Sequence, residues 1–352
     1  MSDEGDQLRH GLALEPWSRA CDRAREFIDS PREKLALSLF ETLAPDAYLA
    51  SRDRLRGSWA HALSEGGRGA IVAVPQEQMG DLREHLRTFF SDPIVWRNLP
   101  SWVLLYALRQ ASSRVQVDHL PAPNHENHIT GKLLEAIGMA CETWSLIVDE
   151  GLAANNDRVV IEQIDLSILG GEQATGGDFG LIIDQSALSE PQTDEWQKPM
   201  KPIVPFIFQA KRFTGKHADV SQRHKIRGFQ RDLLGRNPCA SAYIFYENGD
   251  HRLNTTLPPL VKSIAKVQSA RTTDPRQDSS DLASFILPEL WDPYGAPWAE
   301  DSQDALEMVY AQAAAGQLSS LAVVTSEAGR AAIYERQLAQ LAGRDKQIVE
   351  AT

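Results

Sequence analysis

Three short apolar runs constrain the fold of this chain more than any other feature. Leu181-Ile182-Ile183, Pro205-Phe206-Ile207-Phe208 and Tyr243-Ile244-Phe245-Tyr246 lie near Gly or Pro and are rich in β-branched and aromatic residues. Runs of this length and type read as buried strands rather than helices. Segments with helical spacing surround them. The pattern predicts an α/β fold with a mixed central β-sheet flanked by helices, because the early strands have short links and the last is reached by a helical crossover.

Two charged residues stand against those runs. Asp178 ends Gly176-Gly177-Asp178 immediately before Phe179-Gly180, and Lys211 follows Gln209-Ala210 at the end of the second run. A charge inside such a run costs burial energy unless it is paired or shares a cation and solvent. Gln209 and Lys211 are two residues apart, so on a strand they share a face. Hard oxygen donors suit Mg²⁺ or Mn²⁺, and a divalent ion can activate a water and neutralise a phosphoryl transition state. Asp178 would supply the anchoring carboxylate, Gln209 its amide oxygen and Ala210 its backbone carbonyl. Lys211 would orient the attacking water or neutralise the phosphorane. Taken singly, each is a polar end on a buried strand.

A further carboxylate opens the segment His125-Glu126-Asn127-His128-Ile129-Thr130. Ile129, Leu133, Ile137, Ala140 and Trp144 recur at helical spacing. Asn124 is placed as the N-cap, with Pro121 and Pro123 ending what precedes it. Glu126 shares a face with Ile129, Thr130 and Leu133, so it points inward. The helix dipole alone accounts for a carboxylate there, and a metal site would use the same placement.

The order of a helix Glu, a strand Asp and a (D/E/Q)-x-K strand resembles PD-(D/E)XK nucleases. The resemblance is closest to a bacterial branch with Gly-(Gly/Ala)-Asp-aromatic and Gln-Ala-Lys-Arg motifs, matched here by Gly176-Gly177-Asp178-Phe179 and Gln209-Ala210-Lys211-Arg212. It covers about residues 120 to 250. It implies a restriction-endonuclease-like core, Mg²⁺- or Mn²⁺-dependent hydrolysis of nucleic acid with DNA favoured over RNA, and a phage-defence setting with a homo-oligomer or a defence partner subunit. Gln209 departs from the commoner Glu, which weakens metal affinity. A catalytically silent nuclease-like module that binds nucleic acid or a partner is therefore a second expectation, and a housekeeping binding protein a third.

Charge patterning adds a candidate interface. Lys211, Arg212, Lys216, Arg223, Lys225, Arg227, Arg231 and Arg236 crowd the stretch after Gln209, against Asp219 and Asp232, in a chain of net charge −12. A local basic cluster in an acidic chain points to a polyanion. Residues 221–235 are expected as a helix carrying Arg223, Arg227 and Arg231 on one side and Gln230 toward the site. The plainer account is a solvated basic face.

At 352 residues the chain can bury a full core. Residues 1–118 read as a mostly helical region, 119–250 as the nuclease-like core and 251–352 as an α/β extension packing on it. Expected elements include strands at 70–74, 158–169, 284–287 and 318–325. Glu162 and Asp165 are secondary ligand candidates, though charged strand-edge positions explain them as well. Cys21, Cys141 and Cys239 are odd in number and widely spaced, without a CxxC. With the acidic N-terminus and no long apolar segment, they point to the cytoplasm and no membrane. The His125-Glu126-Asn127-His128 spacing fails the zinc-protease pattern, since its second His comes one residue early.

Overall fold

The computed structural model describes residues 18–65, 80–93, 99–148, 159–165, 179–186, 201–224, 228–291, 295–310, 318, 320–326 and 329–350. It is an α/β structure built on a seven-stranded mixed sheet, with helices flanking the sheet and a helical N-terminal region.

The N-terminal region comprises α1 (residues 18–28), α2 (Pro31–Leu43), α3 (Pro45–Glu65), α4 (Leu82–Thr88) and α5 (Leu99–Arg114), the last running into a π-helical turn at Val115–His119. Ser30 caps α2 by accepting the Glu33 N–H, and Pro31 begins the first turn. Phe27, Trp102 and Tyr106 pack edge-on or tilted against one another and against Trp144 of α6 (Glu126–Ile147).

The sheet strands are β1 (Val160–Asp165), β2 (Phe179–Asp184), β3 (Ile203–Phe213), β7 (Ala240–Glu247), β8 (Leu260–Ser263), β10 (Ser280–Asp281) and β11 (Ser320–Thr325). Short pairs outside it are β4 (Ala218–Asp219) with β9 (Thr272–Thr273), and β5 (Arg223–His224) with β6 (Gly228–Phe229). The order is β1-β11-β2-β3-β7-β8-β10. β2 runs antiparallel to β3, with Phe179 opposite Phe208, and β3 runs parallel to β7, with Gln209 opposite Tyr243.

The expected short link joining the first two strands as neighbours is corrected: β11 lies between β1 and β2, antiparallel to the first and parallel to the second. Residues 284–287 are also not a strand but part of the helix Leu282–Trp291. Asp281 starts that helix, since its carboxylate accepts the N–H groups of Ala283 and Ser284. Its apolar character all round reflects burial on several sides. Phe285 meets Phe206 and Phe208 on one face of the sheet, and Arg54 of α3 reaches the carbonyls of Ser284 and Phe285 and the Glu289 carboxylate. The other face is covered by helix Ser302–Tyr310, whose Val309 lies close to Gly180 beside Leu321 and Leu318. A side chain at Gly180 would collide with Leu321 Cδ1, so this position needs the smallest residue.

A buried ion triad joins the N-terminal helices to the sheet edge. Arg109 of α5 donates to Glu33 of α2 and lies 3.5 Å from Asp281, with all three side chains buried. Burial opposes the Arg109 charge, but the two carboxylates more than offset it and hold the guanidinium protonated. Among the described residues no helix is long and apolar enough to cross a membrane. The expected strand at 70–74 lies outside the described residues.

Candidate functional site

The end of β3 is where the polar residues converge. Alternation along β3 puts Ile207, Gln209 and Lys211 on one face and Phe206, Phe208, Ala210 and Arg212 on the other. Gln209 is 1% and Lys211 9% exposed. A nearly buried ammonium requires partners. Among the described residues Lys211 has two: its Nζ donates to Gln222 Oε1 at 3.0 Å and lies 3.6 Å from Glu126 Oε1.

Glu126 reaches this point from the first turn of α6. Its other oxygen, Oε2, accepts the backbone N–H of Arg212 at 2.9 Å, so the carboxylate bridges strand backbone and lysine. Thr130, one turn further along α6, shares a 3.2 Å hydrogen bond with Tyr246 of β7 and holds the helix against the sheet. The expected N-cap is corrected: His125 occupies that position without a side-chain bond, and Asn124 instead donates to the carbonyls of His119 and Ala122. The Asn124 amide is thus spent on carbonyls of the preceding turn rather than on the helix N–H groups.

Asn248, just past β7, completes the anchor. Its Nδ2 donates to the carbonyls of Leu120 and Ala122, while its Oδ1 accepts from the Asn124 N–H and from Arg212. Arg212 also donates to the Asn124 carbonyl at 2.8 Å and lies 3.6 Å from Asp250. Its guanidinium is engaged in fixing the loop that presents Glu126.

The amide of Gln209 faces a second amide. Gln230 Nε2 donates to Gln209 Oε1, and Gln209 Nε2 donates to the Ala210 carbonyl at 3.2 Å. Gln230 Oε1 is buried without a hydrogen-bond partner among the described residues. Gln230 is the first residue of the short helix Gln230–Leu234.

The proposed cation donors Glu126, Gln209 and Ala210 are hard oxygens of the kind Mg²⁺ takes. Glu126 keeps lone-pair sites beyond its two contacts. Among the described residues no group of three or more His, Cys, Asp and Glu converges. Asp178, the expected anchoring carboxylate, lies outside the described residues. Its chain neighbour Phe179 begins β2 opposite Phe208, the residue before Gln209. The donor types fit a divalent ion, while the oxygens of Gln209 and Ala210 each already accept an N–H.

The expected helix 221–235 is corrected. Arg223 lies in β5 and Arg231 in the short helix 230–234, separated by β6 and by Gly228 at φ +97°. That backbone conformation favours Gly and is incompatible with a continuing helix. Arg223 and Arg231 therefore do not share one helical stripe. The Arg223 guanidinium lies 5.6 Å from the Phe229 ring centroid, Arg231 donates to the Gln268 carbonyl, and Lys216 is exposed on the turn after β3. Lys225 and Arg227 lie outside the described residues. Glu162 accepts the Ala331 N–H at the start of helix Ala331–Glu350, a capping role rather than a ligand role. Of Asp165 only the strand position is described.

Sequence reasoning missed Gln222 and Asn248. Both sit in irregular segments, where no periodicity marks an inward side chain. The only local hint was an amide close in sequence to β3 or β7. The architecture defines an α/β protein with a polar cluster at one end of a mixed sheet. In comparisons with known proteins, no family model, curated protein or solved structure matches the chain.

Proposed function

We propose that this protein is a metal-dependent nuclease related to the PD-(D/E)XK group, acting on DNA in preference to RNA. The observation that carries the proposal is the position of Lys211, nearly buried yet held beside the Glu126 carboxylate, one residue past the Ala210 carbonyl and two past Gln209. A lysine paired in this way at a strand end is fixed in direction and can meet a phosphoryl oxygen or a water once substrate arrives. The start of β2 supports the same reading. Phe179, the residue after Asp178 in sequence, lies opposite Phe208, the residue before Gln209, with the two rings stacked at 5.1 Å.

Asp178, Glu126, Gln209 and the Ala210 carbonyl would hold Mg²⁺ or Mn²⁺. When bound, such an ion supplies a nucleophilic water near neutral pH and offsets charge on the phosphate. Lys211 orients or neutralises the phosphoryl group, Gln222 and Glu126 hold Lys211, and Asn248 holds the loop that carries Glu126. The phage-defence setting, a cytoplasmic location and an oligomer or partner subunit rest on the resemblance and composition alone.

A second reading has its own observation. Gln209 Oε1 and the Ala210 carbonyl both accept N–H donors, as they would in a silent nuclease-like module that binds nucleic acid without cutting it. The deciding experiment incubates supercoiled plasmid with wild type, Asp178→Ala and Lys211→Ala at matched Mg²⁺ or Mn²⁺. Nicking by wild type alone supports the nuclease. Nicking by all three overturns the site. Salt-sensitive binding without nicking favours the silent module.

A further inference from the structure

We propose that Lys211 and Gln222 form a two-donor clamp for one phosphodiester group, with the side-chain N–H groups of Gln222 presented beside the Lys211 ammonium. The inference rests on the reading of Lys211 as a phosphate contact and adds a second residue that touches the nucleic acid. It involves no metal ion.

The direction of the Gln222 amide follows from its partner. An ammonium has only protons to offer, so the atom that faces Lys211 Nζ at 3.0 Å must be the amide oxygen. The nitrogen, with two N–H donors, is bonded to the same carbon and points elsewhere. Gln222 is exposed, and among the described residues its Nε2 has no hydrogen-bond partner. The backbone beneath it is held as well. The Gln222 carbonyl accepts the Gln230 N–H at 2.9 Å, and the Ser221 N–H donates to Asp219 Oδ1 at 2.8 Å. With backbone and side chain both fixed, little ordering remains to be done when a ligand arrives.

Charge selects the ligand. Lys211 has Glu126 on one side, 3.6 Å away, and that carboxylate is tied to the Arg212 N–H. On its other side stands a neutral amide, and the next residue, Arg223, is exposed and adds positive charge there. An anion therefore gains most on the Gln222 side. A phosphodiester carries two non-bridging oxygens on one phosphorus. One can accept from the ammonium while the other accepts from Gln222 Nε2, two bonds that fix the position of the group without reading a base. The exposed Lys216 and Arg223 near β3 favour a phosphate within a polyanion over a single small anion.

The experiment measures binding of one short DNA duplex in EDTA, which prevents metal-dependent cutting. Anisotropy compares wild type, Lys211→Ala, Gln222→Met, Gln222→Glu and the double variant Lys211→Ala with Gln222→Met. Lys211→Ala and Gln222→Met should each weaken the Kd by about tenfold, the scale of one hydrogen bond to a charged group. The double variant should bind much as Lys211→Ala does, because without the ammonium nothing turns the amide. Gln222→Glu keeps an acceptor for Lys211 and loses the N–H groups, so it should bind no better than Gln222→Met. If Gln222 only holds Lys211 in place, Gln222→Glu binds as wild type does, and the clamp is overturned. A second readout is the same titration on wild type labelled with ¹⁵N at glutamine side chains. The Gln222 amide signal, assigned by its loss in Gln222→Met, should shift with the midpoint of DNA binding. A Gln222 signal unmoved at saturation also overturns the clamp, and this holds even where a variant fails to fold. Wild-type affinity in Lys211→Ala, or no binding by wild type, removes Lys211 as a phosphate contact and the clamp with it. Loss of affinity in Lys211→Ala with none in Gln222→Met overturns the clamp alone.

Discussion

Glu126 and the backbone of Arg212 are joined by a 2.9 Å hydrogen bond, so a side chain from the first turn of α6 is tied to the strand that carries Lys211. The second carboxylate oxygen is thereby aimed at the Lys211 ammonium, 3.6 Å away. The two oxygens do separable work. Glu126→Gln retains an acceptor for the Arg212 N–H and loses the charge beside Lys211. Glu126→Ala loses both. The expected outcome is a Gln variant with nearly wild-type stability and an Ala variant weaker by about 1–3 kcal/mol, the usual cost of a lost hydrogen bond to a charged group. Both should lose plasmid cleavage. Urea midpoints and nicking rates on the same samples check this, and an Ala variant as stable as wild type would mean that the bridge does not hold strand and helix together.

The triad of Arg109, Glu33 and Asp281 predicts a different ordering. With both carboxylates buried, removing the guanidinium leaves uncompensated charge in the interior. Arg109→Met should destabilise the protein by about 3–5 kcal/mol. Adding Glu33→Leu should recover part of that loss, since one orphaned carboxylate is removed and Asp281 still caps its helix. Denaturant unfolding of the two variants tests the order, and a double variant weaker than the single one would show that Glu33 is held by other contacts.

The local parts of this fold were legible in the sequence, and the long-range parts were not. Leu181 to Ile183, Pro205 to Phe208 and Tyr243 to Tyr246 announce strands because each must pack on both faces. The period of two likewise placed Gln209 and Lys211 together. The position of β11 between β1 and β2 had no local mark, because a pairing between residues about 160 apart is decided by which sheet edge is open. Helix Leu282–Trp291 resembles a strand in composition because it is buried from several directions. The pairing of β5 with β6 was hidden by residues with good helical spacing, and Gly228 at positive φ decided against the helix. The amide partners Gln222 and Asn248 are loop residues recruited by tertiary contact alone.

Asp29 gives a pH dependence with a definite sign. It receives hydrogen bonds from Arg87 and Arg83 at 2.9 Å each and lies 3.5 Å from Lys34, fastening α4 to the junction of α1 and α2. The Arg87 bond is the largest cause holding its carboxyl down at about 2. The folded value lies below the unfolded one of about 3.9. This stabilisation is therefore present above pH about 4 and lost as pH falls toward 2. The group is partly exposed, so the effect is modest and weakened by salt. Urea midpoints of wild type and Asp29→Asn should differ at pH 6, and the difference should shrink only below pH about 4, converging as pH falls toward 2. A constant difference across that range would show that the loss is one of packing rather than charge.

The basic residues after β3 predict a salt dependence that differs from that of a helical stripe. Lys216 stands exposed on the turn after β3, and Arg223 and Arg231 lie on separate short elements around Gly228. A phosphate backbone approaching Lys211 would meet these groups one by one rather than along one ridge. Each lost phosphate contact should flatten the slope of log affinity against log salt by roughly one unit. Lys216→Ala should therefore flatten it by about one, since its ammonium is free to move to a phosphate. Arg231→Ala should flatten it less, because its guanidinium already donates to the Gln268 carbonyl. Cleavage at saturating DNA should change less than binding in both variants, because neither group is asked to touch the transition state. Fluorescence anisotropy on one duplex across a salt series checks the order. Equal slopes for wild type, Lys216→Ala and Arg231→Ala would show that the nucleic acid does not cross this turn.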